Sequence, residues 1–153
     1  MPSVLFICTG NMFRSPIAEA AFRQLLIEDG RSGWTVSSAG TWATPGQPPP
    51  PATLELARLL GLDLSGHRTR LVDEAMLEAA DVVLVMESGH KEAIEVEFPA
   101  ARQKVHLLMQ VLTGRRHDIP DPITAMEDAE PILRSLVDLI RSEAGKIIRL
   151  VES

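Results

Sequence analysis

No tyrosine occurs among the 153 residues, cysteine occurs once, and aromatic residues make up only 4% of the chain. The missing tyrosine excludes control through phosphorylation of the chain's own tyrosines. The lone thiol, Cys8, excludes an internal disulfide framework, and with four scattered histidines at 67, 90, 106 and 117 it offers no zinc-ligand spacing. Basic residues are also scarce, with 15 Lys and Arg against 21 Asp and Glu, a net charge of -6. A nucleic-acid surface needs a clustered excess of Lys and Arg, so nucleic acid is not an expected partner. Nor is a membrane, because runs such as Val82 to Met86 fall far short of the roughly 20 apolar residues of a spanning helix. Met1 to Ile7 carries neither a charged leader nor a small-residue cleavage site, which makes the cytoplasm the expected compartment.

Against these absences stands a hydrophobic content of 45%, sufficient for one core in one domain covering 1–153. Apolar runs of strand length alternate with stretches of helical period, the pattern of an α/β fold with a parallel sheet covered on both faces. Val4 to Cys8, unbroken in apolarity, is the first strand. Ser15 is expected to cap, and Pro16 to sit in the first turn of, a helix ending near Gly30. Trp34 to Ala39 reads as the second strand. Pro45 to Pro51 reads as a surface loop, because successive prolines remove donors and hold the backbone extended. Helices follow over Thr53 to Leu60 and Glu74 to Ala79, with strands at Val82 to Met86 and Val105 to Leu108. Apolar residues from Ala129 to Val151 recur with a 3.6 period, predicting a long amphipathic helix. It should begin near Asp128, since Pro131 fits only a first turn, with Thr124 to Glu127 as a separate turn.

Chemistry concentrates after the first strand, in Cys8-Thr9-Gly10-Asn11-Met12-Phe13-Arg14-Ser15-Pro16. A thiol and a guanidinium there bracket a five-residue loop that feeds a helix. Main-chain N–H groups of such a turn converge on its centre, Gly10 is expected to supply backbone freedom, and the helix adds positive potential. Arg14 can hold two oxygens of a phosphoryl group at once. In that cradle Cys8 should be a thiolate, with Ser15 as a hydroxyl donor to the sulfur. The rival reading of Cys8 is an inert buried thiol at a strand end. A nucleophile of this kind needs a proton donor opposite it, and Asp121, between Pro120 and Pro122 in the loop after the fourth strand, is the first candidate. Asp118 is the second. Alone, either could be an ordinary solvated loop acid.

Cys8-Thr9-Gly10-Asn11 followed by Arg14-Ser15-Pro16 resembles the phosphate loop of the low-molecular-weight protein tyrosine phosphatases. The likeness continues through Ser38-Ala39-Gly40-Thr41, His67-Arg68-Thr69-Arg70, Asp81 to Met86 and Asp118-Ile119-Pro120-Asp121-Pro122. It implies a single-domain three-layer sandwich with a four-stranded parallel sheet, acting without a cofactor on a phosphorylated protein or aryl phosphate. It also implies Cys8 as nucleophile, Arg14 as phosphate ligand and Asp121 as general acid. Thr9 to Ser15 would bind substrate, Ser15 would support the thiolate, and Asn11 would hold the loop's shape with help from His67. Trp42 would form an aromatic wall, or else be a packed surface tryptophan. His90, His106 and His117 have no evident partner and read as structural or solvated. A monomer is expected.

The chain departs from the family pattern in three places. Phe13 stands where many members carry a second cysteine, and Ile123 stands where an aromatic residue often follows the Asp-Pro pair. Met12 is apolar where phosphoarginine-selective relatives carry a small hydroxyl residue, which favours aryl phosphates. Phosphoarginine hydrolysis, and a phosphate-binding or phosphocarrier module with weak hydrolysis, remain as alternatives.

Overall fold

A computed structural model describes residues 1–153. Four parallel strands, β1 (Ser3–Cys8), β2 (Thr35–Gly40), β3 (Val82–Val85) and β4 (Val105–Leu107), form one sheet in the order β2-β1-β3-β4. Six α-helices accompany them: α1 (Arg14–Glu28), α2 (Pro51–Leu59), α3 (Glu74–Ala79), α4 (Ser88–Glu97), α5 (Leu108–Thr113) and α6 (Ala129–Glu152). The period-2 geometry of a strand divides β1 between two cores. Val4, Phe6 and Cys8 pack with residues of α1, α5 and α6, while Leu5 and Ile7 pack with Leu77 of α3 and Ile94 of α4. The result is the expected three-layer sandwich, and none of its helices is long and apolar enough to cross a membrane.

β1 lies inside the sheet, with β2 on one side and β3 on the other. The connection from β1 runs to one side and the connection from β2 crosses back to β3 on the other, and the sheet opens a crevice at its carboxyl end, where open α/β sheets bind ligands. Phe6, Phe22 and Trp34 stack edge to face at centroid separations of 5.9 and 6.1 Å, fixing α1 against β1 and the entrance of β2.

Several boundaries differ from the sequence reading. Pro51 opens α2 and does not belong to the loop, because its locked φ suits the first helical position, where no N–H is needed. β2 runs one residue later, to Gly40, because Gly40 still pairs with Cys8. β4 ends at Leu107, and Leu108 starts α5. α4 and α5 were not anticipated.

Candidate active site

Cys8 ends β1 and Arg14 begins α1, so the connection between strand and helix is the loop Thr9 to Phe13. Both residues are nearly sealed, at 2% and 1% exposure. They nevertheless share a small cavity of about 30 Å³ with Gly10, Met12, Phe13, Asp121 and Ile123. No main-chain N–H from Gly10 to Phe13 has a protein acceptor. Buried N–H groups are almost always paired, so a run of unpaired donors beside a thiol is a standing oxyanion cradle.

The left-handed residue of the turn is Asn11, at φ 58°. Gly10 does not take that conformation, and a Cβ there would meet only the Met12 side chain, at 3.8 Å. A short amide side chain tolerates this region because it can bond locally, and Asn11 is held at every polar atom of its side chain. Its Oδ1 accepts the Arg70 N–H, and its Nδ2 donates to Ser15 Oγ and Ser38 Oγ, each at 2.9 Å. His67 Nε2 stands 2.9 Å from the Asn11 carbonyl, which can only accept, so this nitrogen carries the proton.

These bonds impose a direction on the protons around the sulfur. Ser38 Oγ donates to Glu19 Oε1 at 2.6 Å and therefore accepts from Asn11. Ser15 Oγ, also accepting from Asn11, has its own proton to give, and Cys8 Sγ at 2.9 Å is a far nearer acceptor than the Ala39 carbonyl at 3.5 Å. A hydroxyl donating to sulfur favours the anionic form. Ser15 is thus not the helix cap the sequence suggested: it lies within α1, Phe13 occupies the cap position without a side-chain bond, and the Ser15 hydroxyl is committed to the thiol.

Arg14 is anchored along one edge. Its Nη1 donates to Glu87 Oε2 at 2.6 Å and to the Ile119 carbonyl at 2.7 Å, which uses both hydrogens of that nitrogen. Nη2 makes only long approaches, 3.5 Å to Thr9 Oγ1 and 3.4 Å to Asp121 Oδ2. Nε has no protein acceptor, so the Nε–Nη2 edge is the part of the fork a ligand can take.

The two candidate acids separate cleanly. Asp121 lines the cavity and its Oδ1 accepts the Ile123 N–H at 3.1 Å, starting a short 3-10 turn, Pro122–Thr124. Asp118 instead accepts the Ser88 N–H at 2.8 Å, at the start of α4. Trp42 is tied to the loop by its backbone N–H, 2.9 Å from the Thr9 carbonyl, but its indole is exposed and outside the cavity lining. The side chains of Asn11 and Ser15 also turn away from the cavity and into the supporting network.

Sequence reasoning missed four residues. Glu19 sets the proton order, and Gly40 lets β2 approach the loop so closely that a Cβ would lie 2.3 Å from the Thr9 carbonyl. Glu87 anchors Arg14, and His90 forms a capping box with Glu87 while its Nε2 lies 2.8 Å from Thr9 Oγ1. Burial, then the neighbouring Arg14 cation, holds His90 below the usual histidine range. The legible signal was Glu87 directly after a buried strand, with His90 three residues on.

The chain is similar over most of its length to known proteins. The model of the family "Low molecular weight phosphotyrosine protein phosphatase" matches residues 3–153. A probable low molecular weight protein-tyrosine-phosphatase, EpsP of Ralstonia nicotianae, is 34% identical over 140 residues, covering 89% of this chain and 91% of that protein. The protein-arginine-phosphatase of Bacillus subtilis is 32% identical over 148 residues, covering 92% and 97%. Among solved structures, a YwlE arginine phosphatase with its active-site cysteine replaced by a phosphorylated serine superposes with a TM-score of 0.88 at 32% identity, covering 97% of this chain and 99% of that one. The chain therefore belongs to the low molecular weight phosphotyrosine protein phosphatase family of cysteine-dependent phosphatases.

Proposed function

We propose that residues 1–153 act as one domain that hydrolyses phosphate monoesters, chiefly phosphotyrosine in proteins, through a phosphocysteine at Cys8. The supporting observation is the shared cavity in which the Cys8 sulfur, hydrogen-bonded by Ser15, adjoins the free edge of Arg14 and faces Asp121. The phosphorylated serine of the YwlE variant, at the active-site position of a relative, supports covalent transfer to the residue in that place.

A phosphoryl group entering the cradle takes the unpaired amides of Gly10 to Phe13 and the Nε–Nη2 edge of Arg14, displacing the long contact with Asp121. The sulfur forms a bond to phosphorus as the ester oxygen departs, and Asp121 gives that oxygen its proton. Water then attacks phosphorus, Asp121 takes a proton from it, the sulfur–phosphorus bond breaks, and phosphate leaves the regenerated thiolate. Amides and guanidinium fixed before the reaction stabilise the equatorial charge at both steps, with no reorganisation at the moment of transfer.

Met12, Phe13 and Ile123 make the cavity wall apolar, which suits an aryl leaving group. Trp42 can meet the larger body of a protein substrate outside it. The similarity to a protein-arginine-phosphatase motivates phosphoarginine as a second reading. Hydrolysis of p-nitrophenyl phosphate in excess chelator, with vanadate as competitor, tests the mechanism, and failure to turn over would end it. Matched phosphotyrosine and phosphoarginine peptides test the substrate, and a clear preference for phosphoarginine would replace the first reading with the second.

A further inference from the structure

His90 is buried at 6% exposure and bonded at both ring nitrogens. Nδ1 lies 3.1 Å from the Glu87 backbone N–H, which can only donate, so Nδ1 is unprotonated. The neutral ring consequently carries its proton on Nε2 and donates it to Thr9 Oγ1 at 2.8 Å. Thr9 Oγ1 is also the oxygen near Arg14 Nη2, and Glu87 is the carboxylate that anchors Nη1. One ring therefore holds Thr9 by its hydroxyl and Glu87 by its backbone, the two residues whose side-chain oxygens flank the guanidinium.

We infer that His90 is a positioning residue for Arg14: acting through Thr9 and Glu87, it aligns the Nε–Nη2 edge with the phosphoryl oxygens. This rests on the phosphatase reading above. It extends that reading from the loop itself to an element, α4, that meets the loop from across β3.

The arrangement works only with a neutral ring. A proton on Nδ1 would oppose the Glu87 N–H, and the resulting cation, with Nε2 3.7 Å from Glu87 Oε2, would compete with Arg14 for that carboxylate. The charged groups that act on the ring are Arg14 from α1, Glu87 at the start of α4, and Asp118 and Asp121 from the segment after α5. Burial and Arg14 oppose protonation, while the three carboxylates favour it. Acidification should accordingly loosen Arg14 before it unfolds the protein.

Two substitutions divide the ring's bonds. His90→Asn keeps an acceptor near the Nδ1 position and preserves the helix cap, whereas His90→Gln places an amide N–H near the Nε2 position and preserves the bond to Thr9. With p-nitrophenyl phosphate, His90→Asn and Thr9→Val should each lower kcat and weaken vanadate inhibition about tenfold, with KM moving less than about twofold. His90→Gln should stay within about threefold of the parent, and the double variant His90→Asn/Thr9→Val should be no worse than either single one. An acid-side loss of kcat in the parent should shrink in His90→Gln. Parental kcat and vanadate inhibition in His90→Asn would overturn the inference, and so would His90→Gln falling as far as His90→Asn. If His90→Asn does not fold, Thr9→Val against His90→Gln decides the same question. Failure of the parent to turn over would remove the phosphatase reading itself, whereas parental turnover with unaffected variants would remove only the role of His90.

Discussion

Asp118 and Asp121 lie in one loop, separated only by Ile119 and Pro120, yet they meet different neighbours. Asp121 opens onto the cavity of Cys8, and Asp118 holds the first N–H of α4. Asp121→Asn should lower kcat/KM by about 10²–10⁴ for an alkyl phosphate and far less for a nitrophenyl ester, whose leaving group needs little protonation, while kcat falls for both because the same carboxylate activates water in the second step. Asp118→Ala should leave kcat within about threefold and cost about 1 kcal/mol of stability through the helix start. Steady-state kinetics on the two ester classes, with thermal melts, check both, and an exchange of the two phenotypes would move the acid to Asp118. Phe13 makes a second residue-scale prediction. It lines the cavity where many relatives carry a cysteine, and the chain has no other thiol. Peroxide should carry Cys8 through sulfenic to sulfinic acid with no internal disulfide to arrest it. Intact mass after brief and long exposure reads this directly: reductant should restore activity only at early times, and full recovery after long exposure would contradict it.

At the scale of elements, the site depends on how closely β2 reaches the loop. Thr41 and Trp42 donate to the carbonyls of Cys8 and Thr9, and Gly40 passes beneath with no side chain. Gly40→Ala would force backbone apart, because the atom it meets is the Thr9 carbonyl and not a flexible side chain. The expected cost is about 1–3 kcal/mol of stability together with a loss of kcat, and denaturant melts beside kinetics would show both. A variant as stable and active as the parent would mean the loop is softer than its contacts indicate. The elements also differ in how readable they were. α3 was legible to the residue because Asp73 caps it through the Met76 N–H, a local signal. α4 was not, because it buries only His90 and Ile94, too few positions to declare a period. α5 was hidden for the opposite reason: Val105 to Leu112 is nearly continuous in apolarity, so the boundary between β4 and helix leaves no mark in hydrophobicity.

For the molecule as a whole, two half-buried or buried histidines couple stability to acid. Burial lowers both His90 and His106, with Arg14 adding to the effect at the first and Lys91 at the second. An unfolded histidine takes up a proton near pH 6.5, which these folded ones resist. Their contribution is therefore complete above that pH and is lost as pH falls from there through the folded values. His106 lies away from the cavity, so His106→Gln should flatten the decline of the melting temperature between about pH 7 and pH 5 without changing kcat; an unchanged slope would refute the assignment. The same division between near and far separates what the chain alone determined from what folding decided. Cys8, the loop amides, Arg14 and Ser15 are adjacent along the backbone, so a buried strand feeding a helix is enough to bring thiol, donors and guanidinium together, and the chemistry could be read from sequence. Which aspartate faces the sulfur, which way the Ser15 proton points, which edge of Arg14 stays free and what His90 braces all depend on residues brought together by the order β2-β1-β3-β4. Hydrogen bonds between groups so distant in the chain leave no periodic or compositional trace, and only packing around the central strand selects them.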